Sequence, residues 1–132
     1  MRIQGHRREW RAADEVALEE VLRFRDRAGG GLFWLRPDDG SYPAVAIRIS
    51  GDLADVHYFP LAGHPGFRAL ASPSRRPIYG GATATLVYEG CDPSSGEESP
   101  TEFVIPVDTA VSLGREFFRT GTRPSSTPWF EL

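Results

Sequence analysis

Lysine is absent: the basic residues of this 132-residue chain, 15 in all, are every one arginine. That bias fits a GC-rich genome and carries no functional weight. Cysteine is almost absent too. With Cys91 alone, no internal disulfide is possible, and a reducing interior is the natural compartment. The N-terminal Met-Arg-Ile-Gln-Gly lacks the apolar core of a signal peptide, and no apolar run approaches the length of a membrane span. An excess of charge is missing as well. A net charge of −3 favours neither a nucleic-acid backbone nor an anionic membrane as a direct partner. No Walker motif, no His-Glu-x-x-His and no Gly-x-Ser-x-Gly occurs, which disfavours an enzyme. What is present, 40% hydrophobic and 25% charged residues, is the composition of one ordinary globular domain spanning 1–132, expected in the cytoplasm.

The chain is organised around Ala54-Asp-Val-His-Tyr-Phe-Pro60 and the Leu61-Ala-Gly-His-Pro-Gly-Phe67 that follows. Ala54, Val56 and Tyr58 alternate with Asp55, His57 and Phe59 as a strand requires, and Pro60 ends the ladder. The next loop is bent by Gly63, Pro65 and Gly66 and anchored by Phe67. Upstream, Gly51-Asp52 reads as a two-residue hairpin turn. Counting outward from it pairs Ile49 with Ala54, Ile47 with Val56 and Val45 with Tyr58 on an apolar inner face. The outer face then pairs Arg48 with Asp55, Ala46 with His57 and Ala44 with Phe59. An arginine opposite an aspartate favours this register over a one-residue slip.

Around this hairpin the spacing predicts a helix from Asp14 to Arg27, with Ala17, Leu18, Val21, Phe24 and Ala28 inward and Gly29-Gly30-Gly31 as its stop. A short edge strand at Arg2–Gly5 is weakly signalled. Leu32–Arg36, Thr83–Glu89 and Thr101–Val107 read as strands, the last two joined by a long acidic loop, Gly90–Pro100. Ser72–Pro77 reads as irregular. A second helix, capped by Asp108, carries Ala110, Val111, Leu113, Gly114, Phe117 and Phe118 inward and stops at Gly121. Gly114 implies close approach to the sheet. The aromatic tail is expected to pack back. The sum is an α+β fold: an antiparallel sheet of about five strands with two helices packed on one face.

The candidate chemistries are thin. His57, His64 and His6 share no ligand spacing and are read as structural histidines rather than as a zinc site. Cys91 sits in an acidic loop that would raise its pKa and is read as inert. The adjacent acids Asp38–Asp39 and Glu97–Glu98 read as solvated turns rather than a glycosidase pair. No metal or other cofactor is implied. What remains is surface for a partner: acidic Asp38, Asp39, Asp92, Glu97, Glu98 and Glu102, and aromatic Tyr42, Phe59, Phe67, Tyr79, Trp129 and Phe130.

Val56-His-Tyr-Phe-Pro60, Gly63-His-Pro-Gly-Phe67, Val104-Ile-Pro-Val107 leading to Glu116-Phe-Phe118, and the closing Trp129-Phe-Glu-Leu132 together resemble the first-numbered immunity-protein family of bacterial polymorphic toxin systems. The resemblance covers roughly residues 27 to 132, and the family is common in actinobacteria. It implies a small cytoplasmic protein that binds a cognate toxin domain encoded by a neighbouring gene, often a nucleic-acid deaminase, and occludes it. The motif residues are His57, Tyr58, Phe59, Gly63, His64, Pro65, Gly66, Phe67, Trp129 and Glu131. With the acidic loops and the outlying aromatic they give the toxin-contact candidates Asp38, Asp39, Tyr42, His57, Phe59, His64, Phe67, Asp92, Glu97, Glu98, Trp129 and Glu131. A small-ligand or metal module using His57 and His64 in one loop pocket is the alternative.

Overall fold

The computed structural model describes residues 1–72, 81–92, 94 and 96–132. Tyr79, and the expected irregular segment from Pro73 onward, lie outside the described residues. The chain is α+β. Its strands are β1 (Arg2–Gln4), β2 (Glu9–Arg11), β3 (Gly30–Arg36), β4 (Ala44–Ser50), β5 (Leu53–Phe59), β6 (Phe67–Ala69), β7 (Thr83–Leu86), β8 (Glu97–Pro100), β9 (Ile105–Pro106) and β10 (Trp129–Glu131). Its helices are α1 (Glu15–Leu22) and α2 (Val107–Thr120). An antiparallel sheet runs β10-β6-β5-β4-β3-β1-β2, with β9 also paired to β5, and β7–β8 form a separate hairpin. Among the described residues the sheet therefore has eight strands rather than five. The additions are three residues or fewer, too short for alternation to signal them.

The β4–β5 register is the one the turn dictated: Ile49 faces Ala54, Arg48 faces Asp55 and Ala46 faces His57. Gly51, at φ +59, supplies the left-handed corner of that turn. Val45, Ile47, Ile49, Val56 and Tyr58 join Phe33 and Leu35 of β3 against Leu18, Leu22, Leu113 and Phe117 of the two helices. Gly114 is the contact point. A Cβ there would lie 3.2 Å from both Ile47 Cδ1 and Leu22 Cδ1, so the glycine lets α2 sit close to the sheet. Gly121 ends α2 at φ +66, its N–H donating to the Phe117 carbonyl.

Five expectations need correction. Helix α1 stops at Leu22, not Arg27, and Ala28 is exposed rather than inward. Asp26 explains the early stop: its Oδ1 accepts from Ala28 N at 2.9 Å and Gly30 N at 2.8 Å, folding this stretch into a turn. Gly30 and Gly31 then belong to β3. A Cβ on Gly30 would lie 2.7 Å from the Val87 carbonyl oxygen, so this glycine serves close approach rather than a helix stop. The later strands shift as well. The pairing partner of β7 is Glu97–Pro100, inside the expected loop, and Thr101–Phe103 form a 3₁₀ turn before the two-residue β9. Asp108 makes no capping bond and lies in the first turn of α2. Asp14 does cap α1, accepting from Ala17 N at 2.8 Å. Arg2–Gln4 is flanked by β2 and β3, so it is no edge. The tail packs back as the edge strand β10.

Candidate partner-binding face

The helices cover one face of the sheet. The other face carries Leu32, Trp34 and Arg36 from β3, Ala44, Ala46 and Arg48 from β4, Asp55, His57 and Phe59 from β5, and Arg68 from β6. The β7–β8 hairpin crosses one end of this outer face. Ser50 Oγ accepts from Val87 N at 2.9 Å, and Arg68 Nη2 donates to Ser99 Oγ at 2.8 Å.

Beneath the hairpin lies a buried ionic knot. Asp55, 1% exposed, accepts from Arg48 Nε at 2.8 Å, from Arg48 Nη2 and from Arg68 Nη2 at 2.8 Å. Arg48 Nη1 also pairs with Glu97 at 2.8 Å, and the Tyr88 hydroxyl donates to Glu97 at 2.5 Å. Burial alone would lower the Arg48 pKa, but Asp55 and Glu97 more than offset it and raise the value. Burial lowers the Arg68 pKa despite its contact with Asp55. Glu97 is held below the usual carboxylate range by the Tyr88 and Arg48 hydrogen bonds.

Beyond the knot the face becomes aromatic and open. Trp34 stacks on Phe59 with ring centroids 5.4 Å apart, and His57 meets Phe59 edge-on at 5.7 Å. The Arg36 guanidinium lies 5.0 Å from the Trp34 ring and 5.7 Å from the Tyr42 ring, linking them. Gln4 Oε1 and the Ser41 carbonyl hold Arg36 in place, each at 2.9 Å. A hollow of about 360 Å³ opens between this strip and the hairpin, lined by Leu32, Trp34, Ala46, Arg48, His57, Phe59, Tyr88 and Glu97. Burial first, then the Arg68 charge, pushes the His57 pKa down to about 4, so the imidazole is neutral at pH 7. Gly66 fixes the far side of Phe59. It sits at φ +94, where a Cβ would come 2.9 Å from the Phe59 ring.

Of the twelve contact candidates, Tyr42, His57, Phe59 and Glu97 meet on this face. His64, Phe67, Trp129 and Glu131 do not. Phe67 faces Tyr58 on the helix side, His64 stacks on Phe67 at 5.3 Å, and Trp129 contacts Tyr58. Glu131 lies beside Phe67 in the β6–β10 ladder. His57 and His64 thus occupy opposite faces, so the single pocket expected for them does not form, and His64 Nδ1 is taken by Gly66 N at 2.8 Å. His6 is exposed near Gly90, and among the described residues no group of three His, Cys, Asp or Glu is placed to hold a metal. The acidic residues also divide. Asp38 and Asp39 lie in the β3–β4 turn, Asp92, Glu97 and Glu98 in the hairpin, and Glu102 is buried. The seven residues of β3 separate the two groups by roughly 20 Å. Asp38 is already engaged: the N-terminal ammonium at 2.9 Å, aided by Arg11, lowers its pKa.

Trp34, Arg36 and Tyr88 were not singled out in the sequence. The signal for Trp34 was present, because Leu32, Trp34 and Arg36 alternate with Gly31, Phe33 and Leu35. Which set faced outward was not fixed, since the seven residues between β3 and β4 set no register. Compared with known proteins, the chain matches no family model and no curated protein.

Proposed function

We propose that this chain is an immunity protein that neutralises a nucleic-acid-targeting toxin domain, such as a deaminase, by one-to-one occlusion through its outer sheet face. The family reading rests on the sequence motifs, and the observation that supports a docking role is the Trp34–Phe59 stack. Large aromatics held rigid in an open strip, with His57, Arg36 and Tyr42 around them, are the composition of a binding hot spot. Acidic groups border the strip at each end: Asp38 and Asp39 beyond Tyr42, and Glu97, Glu98 and Asp92 in the hairpin. An aromatic centre with a charged rim is interface anatomy, and the negative rim complements the basic groove a nucleic-acid enzyme needs.

Co-purification with the C-terminal domain of the protein encoded immediately upstream tests this reading. A stable one-to-one complex with toxin activity abolished is the expected outcome. Raising ionic strength is expected to slow association more than it speeds dissociation, because the rim charges act at long range. No complex, together with a toxin-induced growth defect that this chain leaves unrelieved, would contradict the pairing.

A further inference from the structure

We propose that two copies of this chain associate edge to edge through β10, antiparallel about a two-fold axis at Phe130. Among the described residues the sheet ends in β2 on one side and β10 on the other. The two edges differ in chemistry. β2 carries exposed Glu9 and Arg11 around Trp10, the charged blunting that keeps an edge from pairing. β10 reads Trp-Phe-Glu, with both aromatics half-exposed.

The backbone of β10 is poised for a neighbour. Leu70 N donates to the Pro128 carbonyl at 2.9 Å, and Leu132 N donates to the Gly66 carbonyl at 3.0 Å. With Phe130 opposite Arg68, the inward-bonding residues are therefore 128, 130 and 132. The N–H and C=O groups of Trp129 and Glu131 point away from β6 and have no partner among the described residues. Centring a two-fold axis on Phe130 sets Trp129 of each copy opposite Glu131 of the other. All four of those groups per chain are then satisfied. The axis stands perpendicular to the sheet, so both outer faces stay open on the same side.

The side chains fit the same operation. A hollow of about 520 Å³ opens beside this edge, lined among others by Phe67, Arg123, Pro124, Trp129 and Glu131. Trp129 Nε1 donates to the Pro124 carbonyl at 2.7 Å, which places Arg123 next to the indole. Arg123 covers the Phe67 ring at 4.5 Å, and neither it nor Glu131 forms an ion pair among the described residues. Pairing carries each Glu131 to the Trp129 of the other copy, beside its Arg123. The contact is reciprocal, Glu131 of each copy meeting Arg123 of the other, as an isologous interface requires. Phe130 meets its own counterpart on the axis, a favourable aromatic cross-strand pair.

Sedimentation equilibrium of the purified chain is expected to show a concentration-dependent rise to twice the monomer mass. Hydrogen exchange at the Trp129 and Glu131 amides is expected to slow over the same range. Glu131→Pro deletes one outward N–H and the carboxylate without touching a bond to β6, and should weaken association by about tenfold or more. Arg123→Glu should weaken it too, and Arg123→Glu combined with Glu131→Arg should restore it. Monomer mass at the highest attainable concentration would overturn the proposal. So would a dimer that Glu131→Pro leaves intact while the Trp129 and Glu131 amides of the native chain exchange freely in it.

Discussion

Replacing Asp55 with alanine is expected to cost about 3–5 kcal/mol of folding stability, the range for removing one member of a buried ionic cluster. The side chain is 1% exposed and holds two guanidinium groups that are themselves largely buried. Arg48 would keep Glu97. Among the described residues, Arg68 would keep only the Ser99 hydroxyl and the Phe103 ring, 4.1 Å from its guanidinium carbon. An uncompensated charge would then remain between sheet and hairpin, and solvating it requires the β7–β8 hairpin to lift. Urea denaturation of the two proteins measures the difference. A loss below about 1 kcal/mol, the range of an exposed pair, would show that water already reaches the cluster.

Acidification has a separate signature. His57 titrates near 4 in the folded chain and near 6.5 when unfolded, so the unfolded state takes up the proton first as pH falls. Its contribution is fully present above pH 6.5, declines between 6.5 and 4, and amounts to about 3 kcal/mol over that window. Glu97 and Asp38, whose pKa values are lowered from 4.5 and 3.8, lose their contributions below those values, so they overlap the His57 window only at its acid end. Denaturation midpoints for the native chain and for His57→Gln, measured from pH 7.5 to 4, should converge on acidification. Parallel curves would mean that another group governs the loss.

The same residues show what the sequence discloses. A two-residue turn leaves one register, so Gly51-Asp52 was enough to place Arg48 on Asp55 and His57 on the outer face. Gly114 and Gly121 were readable because each departs from helical preference where packing or termination requires it. Asp26 was not readable. Its side chain competes locally with helix hydrogen bonding, and only the fold decides which wins. The candidate face was half legible for a related reason. His57 and Phe59 follow from the turn, whereas Trp34 and Arg36 depend on a β3–β4 connection that fixes no pairing. Arg68, Tyr88 and Glu97 reach the face from distant segments, through contacts that no local pattern announces.

The most direct test of the outer face as the proposed docking surface is calorimetric titration of the proposed toxin partner with Trp34→Ala and Phe59→Ala. Each is expected to lose about 2 kcal/mol or more of binding, roughly thirtyfold in affinity, with its circular dichroism unchanged. Native affinity in both folded variants would contradict the account and move the contact surface elsewhere on the molecule.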